Sequence, residues 1–247
     1  MIDMAKRGRV VHLVLNSPPV NVIDAALLGE LCERLSACAA DEELAAVLLR
    51  GEGRCFSAGA SVEEHSAELA PKMLGMLLDA SFAMVDLPVP AVALVHEPCL
   101  GGALELISFC DFVVADPSAK FGVPEISLAF FPPFACSRMP QLCGLQNSAY
   151  AVLTGDTIDA ERAAAMGLVQ RILPQDQWDQ IDNQFNGLSV PVLRLAKQAT
   201  LRAGAAPDRQ QLEDMKTLFL ERLYDIGDVN EGITSFAERR KPEWKHR

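Results

Sequence analysis

The sequence predicts an α/β fold, a layered core of strands and helices followed by a helical module. Three observations carry this. Short β-rich apolar runs alternate with stretches of helical periodicity through the first two-thirds of the chain. Half of the 247 residues are hydrophobic and 22% are charged, which supplies apolar surface for a large core. After about Val190 the strand signals stop, and three helical stretches follow.

Taken in order, Val10–Leu15 reads as a strand, and the SPPVN after it is turn chemistry. Ala25–Ala39 places Leu27, Leu28, Leu31, Leu35 and Cys38 at helical spacing. Ala45–Leu49 is a short strand closed by GEGR. Glu63–Val85 reads mostly as helix, ended by DLPVP, and Ala91–Val95 and Phe112–Ala115 are further buried strands. Beyond these, Pro191–Ala203, Gln210–Tyr224 and Val229–Glu238 read as helices joined by AGAAPD and DIGD. Leu212, Met215, Phe219 and Leu223 form an apolar stripe, widened by Leu218. The expected division is a core over residues 1–190 and a C-terminal helical region over residues 191–247.

Composition narrows the function classes. Twenty-two Lys and Arg against 33 Asp and Glu give a net charge of −11, so neither nucleic acid nor an anionic membrane is expected as a partner. One phosphorylated ligand held by a local basic cluster is still compatible. The basic end, ERRKPEWKHR, contrasts with the acidic whole, and Phe236 and Trp244 suggest that it docks in part. Seven scattered cysteines with no CxxC and no signal peptide fit a reduced, cytoplasmic protein. No apolar run reaches the roughly 18 residues of a membrane span.

Three segments carry candidate chemistry. In Gly51–His65 a strand runs into Ser57, Ala58, Gly59, Ala60 and Ser61 and then a helix. Small residues at such a turn leave backbone N–H groups open to an anion or a polarised carbonyl oxygen, although an ordinary tight loop has the same composition. In His96–Asp111, Gly101 and Gly102 open an apolar helix that holds one acid, Glu105. A buried carboxylate is costly unless paired or used, and its pKa should rise. In Phe121–Pro140, Glu125 is a second lone acid in apolar sequence, and the two suggest a pair sharing acid and base roles. No HExxH, GxxxxGK[ST], GxGxxG or GxSxG occurs, and the histidines His12, His65, His96 and His246 lack metal-ligand spacing, so no metal is expected. A lone His at a helix start, as His65 is, reads as a surface or capping residue more readily than a catalytic one.

Together these segments resemble the crotonase superfamily, the enoyl-CoA hydratase/isomerase family. Its pattern F-[SA]-A-G-A, L-G-G-x-x-E-L before C-D, and F-G-x-P-E appears at Phe56–Ala60, Leu100–Leu106 with Cys110–Asp111, and Phe121–Glu125. The resemblance extends through Leu153–Ile172 and EGITSFAERRKP, nearly the whole chain. It implies a spiral of ββα units with a C-terminal helical, trimerising and CoA-covering region, assembled as a homotrimer or a dimer of trimers. It implies that Ala60 and Gly102 supply the backbone N–H groups of a thioester oxyanion hole, that Glu105 and Glu125 are the two catalytic acids, that Ala58 and Val62 lie where the backbone holds the CoA adenine, and that Arg239 reaches the CoA phosphates. CoA arrives with the substrate, and no resident cofactor is implied. The implied reaction is addition of water to an α,β-unsaturated enoyl-CoA. An isomerase or another crotonase reaction, separable by product analysis in deuterated water, and a non-catalytic acyl-CoA-binding protein are the competing readings.

One departure stands out. Where hydratases of the family carry a glycine-rich turn after Pro132, this sequence has Pro133, Phe134, Ala135 and Cys136, preceded by Phe130 and Phe131. The three phenylalanines are expected to line the acyl pocket. With SVEEH, this makes the chain similar to hydratases of cyclic dienoyl-CoA in anaerobic benzoyl-CoA breakdown, which act on cyclohexa-1,5-diene-1-carbonyl-CoA.

Overall fold

Strands that are apolar on both faces are stable only between two covering layers. The computed structural model, which describes residues 1–203 and 208–244, builds those layers. β1 (Ile2–Arg7) and β2 (Val10–Leu15) form an antiparallel hairpin. α1 (Ala25–Ala40), β3 (Ala46–Gly51), α2 (Ala70–Val85) and β4 (Ala91–Val95) follow, then β5 (Pro98–Leu100), α3 (Gly102–Ile107), β6 (Phe112–Ala115) and β7 (Lys120–Gly122). Next come α4 (Pro133–Cys143), α5 (Leu145–Thr154), β8 (Ile158–Asp159), α6 (Ala160–Met166), β9 (Arg171–Ile172) and α7 (Asp179–Asn186). The last quarter holds α8 (Val190–Ala203), α9 (Arg209–Leu218) and α10 (Asp228–Ala237). The main sheet has the order β1-β2-β3-β4-β6-β9, parallel except for the first pair, and β5-β7-β8 form a smaller sheet.

The period-2 alternation of a strand sorts the core. Val47, Leu49, Ala91, Ala93 and Val95 point to the layer that contains α1 and α2. Ala46, Leu48, Val92, Leu94 and Val114 point the other way, onto Trp178, Ile181 and Phe185 around α7. His12, even-numbered on a fully buried strand, faces α7 as well, and its Nε2 lies 2.7 Å from Asp182 Oδ1.

Four sequence expectations shift. β1 adds a strand that the sequence reading did not include. The stretch Glu63–Val85 is broken into a short 3₁₀ turn, Glu63–His65, and α2, whose start is fixed by Pro71. Proline is favoured in a first helical turn, where its missing N–H costs nothing. Gln210–Tyr224 is not one regular helix, because α9 gives way to a wider turn over Phe219–Leu223. The segment after Pro132 is no loop, since α4 begins at Pro133. Residues 204–207 of the AGAAPD connector, and Lys245, His246 and Arg247 of the basic end, lie outside the described residues.

The C-terminal region docks on the core at specific points. Lys197 of α8 pairs with Asp111 at 2.8 Å and donates to the Val89 carbonyl at 3.0 Å. Gly232 of α10 packs so closely that a Cβ there would overlap the Leu128 carbonyl. All seven cysteines are free, and no described helix is long and apolar enough to cross a membrane.

Candidate active site

Parallel sheets bind ligands beyond the carboxyl ends of their strands, and the glycine-rich segments sit there, after β3 and β4. The loop after β3 is laced to the chain after β4 by three bonds. The Phe56 and Ser57 amides donate to the His96 and Pro98 carbonyls at 3.0 and 3.1 Å, and the Leu100 amide donates to Ser57 at 3.1 Å. On its other side, Ile23 donates to Gly59 and Ser61 donates to Ile23, both at 2.9 Å. That pairing uses the groups flanking Ala60 and turns the Ala60 N–H away from Ile23. Gly102 opens α3, where a first-turn amide has no intrahelical acceptor. A Cβ on Gly102 would lie 3.0 Å from the Ala60 Cβ and 3.5 Å from the Ala60 nitrogen, so the two residues are neighbours. Among the described residues, neither amide has an acceptor. Gly101, between them and the acids, has φ 51°, and a Cβ there would come 2.6 Å from Glu125 Oε1.

Glu105 is 3% exposed on α3. Its Oε1 accepts from the amides of Phe134 and Ala135, at 2.8 and 2.9 Å, in the first turn of α4. Burial pushes its pKa up, and those two donors partly offset the rise. A helix N-terminus favours a charged carboxylate. Glu125, on the 3₁₀ turn Pro124–Leu128, has a sealed Oε2 with no partner. Its pKa is raised by burial first and by the Glu105 charge second. Two such acids titrate as a unit. Glu105 has two backbone donors from α4 to stabilise a charge, against its own amide for Glu125, so the geometry favours Glu105 as the ionised member and Glu125 as the holder of the proton.

Two spaces that share Ala60, His65 and Glu125 in their lining surround these groups. An outer cavity of about 660 Å³ is bordered by Ala58, Ala60, Val62, Gly101, Glu125 and Phe130, among others. An inner chamber of about 10 Å³ is bordered by Ala60, Gly102, both glutamates, His65 and Phe131 within an otherwise apolar lining. Arg239 lines an adjoining cleft that shares Leu128 and Phe236 with the outer cavity. Its side chain has no partner among the described residues, whereas Arg240 is held by Glu231 and Glu238. Phe134 has a different place from the one expected. Its ring is fully buried and borders neither space, and what it contributes is its backbone amide to Glu105. Among the described residues, no cluster of three or more His, Cys, Asp or Glu could hold a metal.

This constellation of two open amides beside two acids in an apolar lining accompanies a chain-wide sequence match. Residues 5–247 match the sequence profile of the enoyl-CoA hydratase/isomerase family. The chain belongs to that family. It is 33% identical over 250 residues to cyclohexa-1,5-dienecarbonyl-CoA hydratase of Thauera aromatica, covering 99% of this chain and 96% of that one. It is 32% identical to 2,3-dehydroadipyl-CoA hydratase of Escherichia coli, covering 99% and 98%. Among solved structures, an enoyl-CoA hydratase/isomerase from Xanthobacter autotrophicus matches with a TM-score of 0.86 and 26% identity over 96% of this chain and 93% of that one. The crotonase-like fold expected from the sequence is the fold observed.

For this member of the enoyl-CoA hydratase/isomerase family, sequence reasoning missed two parts of the site. His65 is not a surface cap. It borders both spaces, with Nδ1 2.7 Å from the Ser61 carbonyl and its ring edge-on to Phe130 at 5.1 Å. Phe219, on the wide turn after α9, borders the inner chamber, and Tyr224 at the end of that turn supports it. Phe219 stacks on Phe130 at 5.9 Å and contacts Phe131 at 5.3 Å, and the Tyr224 hydroxyl donates to the His65 carbonyl. The apolar stripe of α9 marked Phe219 as a packing residue, but nothing local marks which surface it meets.

Proposed function

We propose that this protein adds water to the conjugated double bond of a cyclic or otherwise bulky enoyl-CoA, such as cyclohexa-1,5-diene-1-carbonyl-CoA. The observation that carries the reading is that Glu105 and Glu125 border one chamber together with Ala60 and Gly102. In this reading the thioester oxygen sits on the two amides. Glu105 takes a proton from water as the water oxygen bonds to the unsaturated carbon. The electron pair moves through the conjugated system to the thioester oxygen, where the amides stabilise the enolate. Its collapse takes a proton from Glu125 onto carbon, and transfer of a proton between the carboxyls restores the starting state. No resident cofactor takes part.

The cyclic preference is supported by the ring wall of Phe130, Phe131 and Phe219 and by the resemblance to the Thauera aromatica enzyme. Ala58 and Val62, on the outer cavity, suit the CoA adenine, and Arg239 suits its phosphates. Apolar residues left exposed on α5 and α8, Leu153 at 71% and Leu195 at 66%, suit a trimer or a dimer of trimers. Free cysteines and the absence of a membrane-spanning helix among the described residues are compatible with a cytoplasmic setting. The test is a panel of acyl-CoAs followed by loss of the conjugated-enoyl absorbance. The expected result is faster turnover of the cyclic dienoyl-CoA than of crotonyl-CoA or a long straight-chain enoyl-CoA. Equal or better turnover of the long chain refutes the cyclic preference, and no hydration of any substrate refutes the reaction.

A further inference from the structure

The inner chamber, at about 10 Å³, is the size of one water molecule. Its polar side chains are Glu105, Glu125 and His65, and the rest of its side-chain lining is apolar. A water there has two protons to place. Glu105 accepts one. Glu125 enters the chamber as a donor. The second water proton then needs another acceptor, and a buried hydrogen-bonding group left unmatched is costly.

His65 is built to be that acceptor. The Ser61 carbonyl, 2.7 Å from Nδ1, can only accept, so Nδ1 carries the proton and Nε2 carries a lone pair. Burial holds the imidazole pKa below its ordinary value and favours this neutral form. Nε2 has no partner among the described residues and is not sealed, and His65 borders both the chamber and the outer cavity. The orientation is fixed from three sides, by Ser61 at Nδ1, by the edge contact with Phe130, and by the Tyr224 hydroxyl on the His65 carbonyl.

We infer that His65 Nε2 accepts a hydrogen bond from the water that adds to the substrate, and afterwards from the hydroxyl group that this water becomes. His65 thus positions the nucleophile beside the glutamate pair, and favours ligands that carry a hydroxyl at the hydrated carbon. The inference rests on the hydratase reading for the water and on ring geometry for the acceptor.

Two variants of the full-length protein separate this role from a structural one. In His65→Asn the side-chain amide can occupy the place of Nδ1 and keep the Ser61 contact, with nothing at the place of Nε2. In His65→Gln the side-chain oxygen can reach the place of Nε2. On the best substrate, kcat of His65→Asn should fall by roughly 10- to 100-fold with KM within about twofold, as expected when positioning in the transition state is lost, and His65→Gln should recover most of the loss. Binding supplies a readout that needs no turnover. By calorimetry, the wild type and His65→Gln should hold 3-hydroxybutyryl-CoA up to roughly tenfold more tightly than butyryl-CoA, and His65→Asn should lose that preference. A His65→Asn enzyme with unchanged kcat and unchanged preference overturns the inference. So does a His65→Gln enzyme as impaired as His65→Asn, because that pattern marks ring packing as the important feature. If the wild type hydrates no acyl-CoA, the hydratase reading fails, and the binding comparison still decides the role of His65.

Discussion

Glu105 and Glu125 have the same side chain and opposite surroundings. Glu105 takes two backbone donors from the start of α4, while the sealed oxygen of Glu125 takes none. Replacing either by Gln keeps the shape and ends proton transfer, so hydration should fall by roughly 10²- to 10⁴-fold in each single variant. In the double variant the loss should be far smaller than the product of the single losses, as for residues that act as a unit. Steady-state rates of the three variants check this, and a multiplicative loss would mean that the acids work independently. The raised pKa of Glu125 also has a consequence for stability. A carboxyl whose folded pKa lies above its unfolded value binds more protons when folded, so stability falls as pH rises from the ordinary carboxylate range through that raised value. Glu125→Gln removes this penalty. Its melting temperature should exceed that of the wild type by a margin that grows from pH 4 toward neutrality, and a margin that stays flat or shrinks contradicts the assigned shift. At this scale the sequence was legible where chemistry stands out against its neighbours, as two lone acids in apolar runs do. It was silent where the contact is a backbone amide, as at Phe134, and it ranked His65 as a surface or capping residue because the hydroxyl that holds its carbonyl, from Tyr224, comes from a distant segment.

At the scale of elements, strands were the most readable, because the continuous apolar runs of β2, β3, β4 and β6, buried on both faces, are written locally. α2 was misread at its start, where Pro71 marks a boundary that the apolar periodicity ran across. α4 was the larger surprise. PPFAC reads as a stiff replacement for a flexible turn, yet its third and fourth residues, Phe134 and Ala135, place two donors on Glu105. α10 depends on one contact that no periodicity reveals. Gly232 lets the helix lie on the Leu128 carbonyl, at the end of the turn that carries Glu125. Gly232→Ala should force α10 outward and carry Phe236 and Arg239 away from the cavity mouth. The expected outcome is a melting temperature lower by several degrees and a KM for acyl-CoA raised several-fold. Overpacking of this kind typically costs about 1–3 kcal/mol. Wild-type values for both would show that the helix adjusts without moving.

Across the whole molecule, charge and ligand oppose one another. A net charge of −11 repels a polyanion such as CoA, so a local cation has to hold it. Arg239 is the candidate, and its side chain is without a partner among the described residues. Arg239→Ala should raise KM while leaving kcat nearly unchanged, since contacts far from the reacting atoms are made equally in the ground and transition states. An unchanged KM at both low and moderate salt rules this assignment out. The cavity is also assembled from two ends of the chain. The amides and acids belong to the first 125 residues, whereas Phe219, Phe236 and Arg239, which wall it, lie in the last 30. A ribosome therefore releases the two carboxyls long before Phe219, one of the rings that wall them in. A chain folded without Phe219 would leave that side of the chamber open, and burial, the first cause of the raised pKa of both acids, would be incomplete.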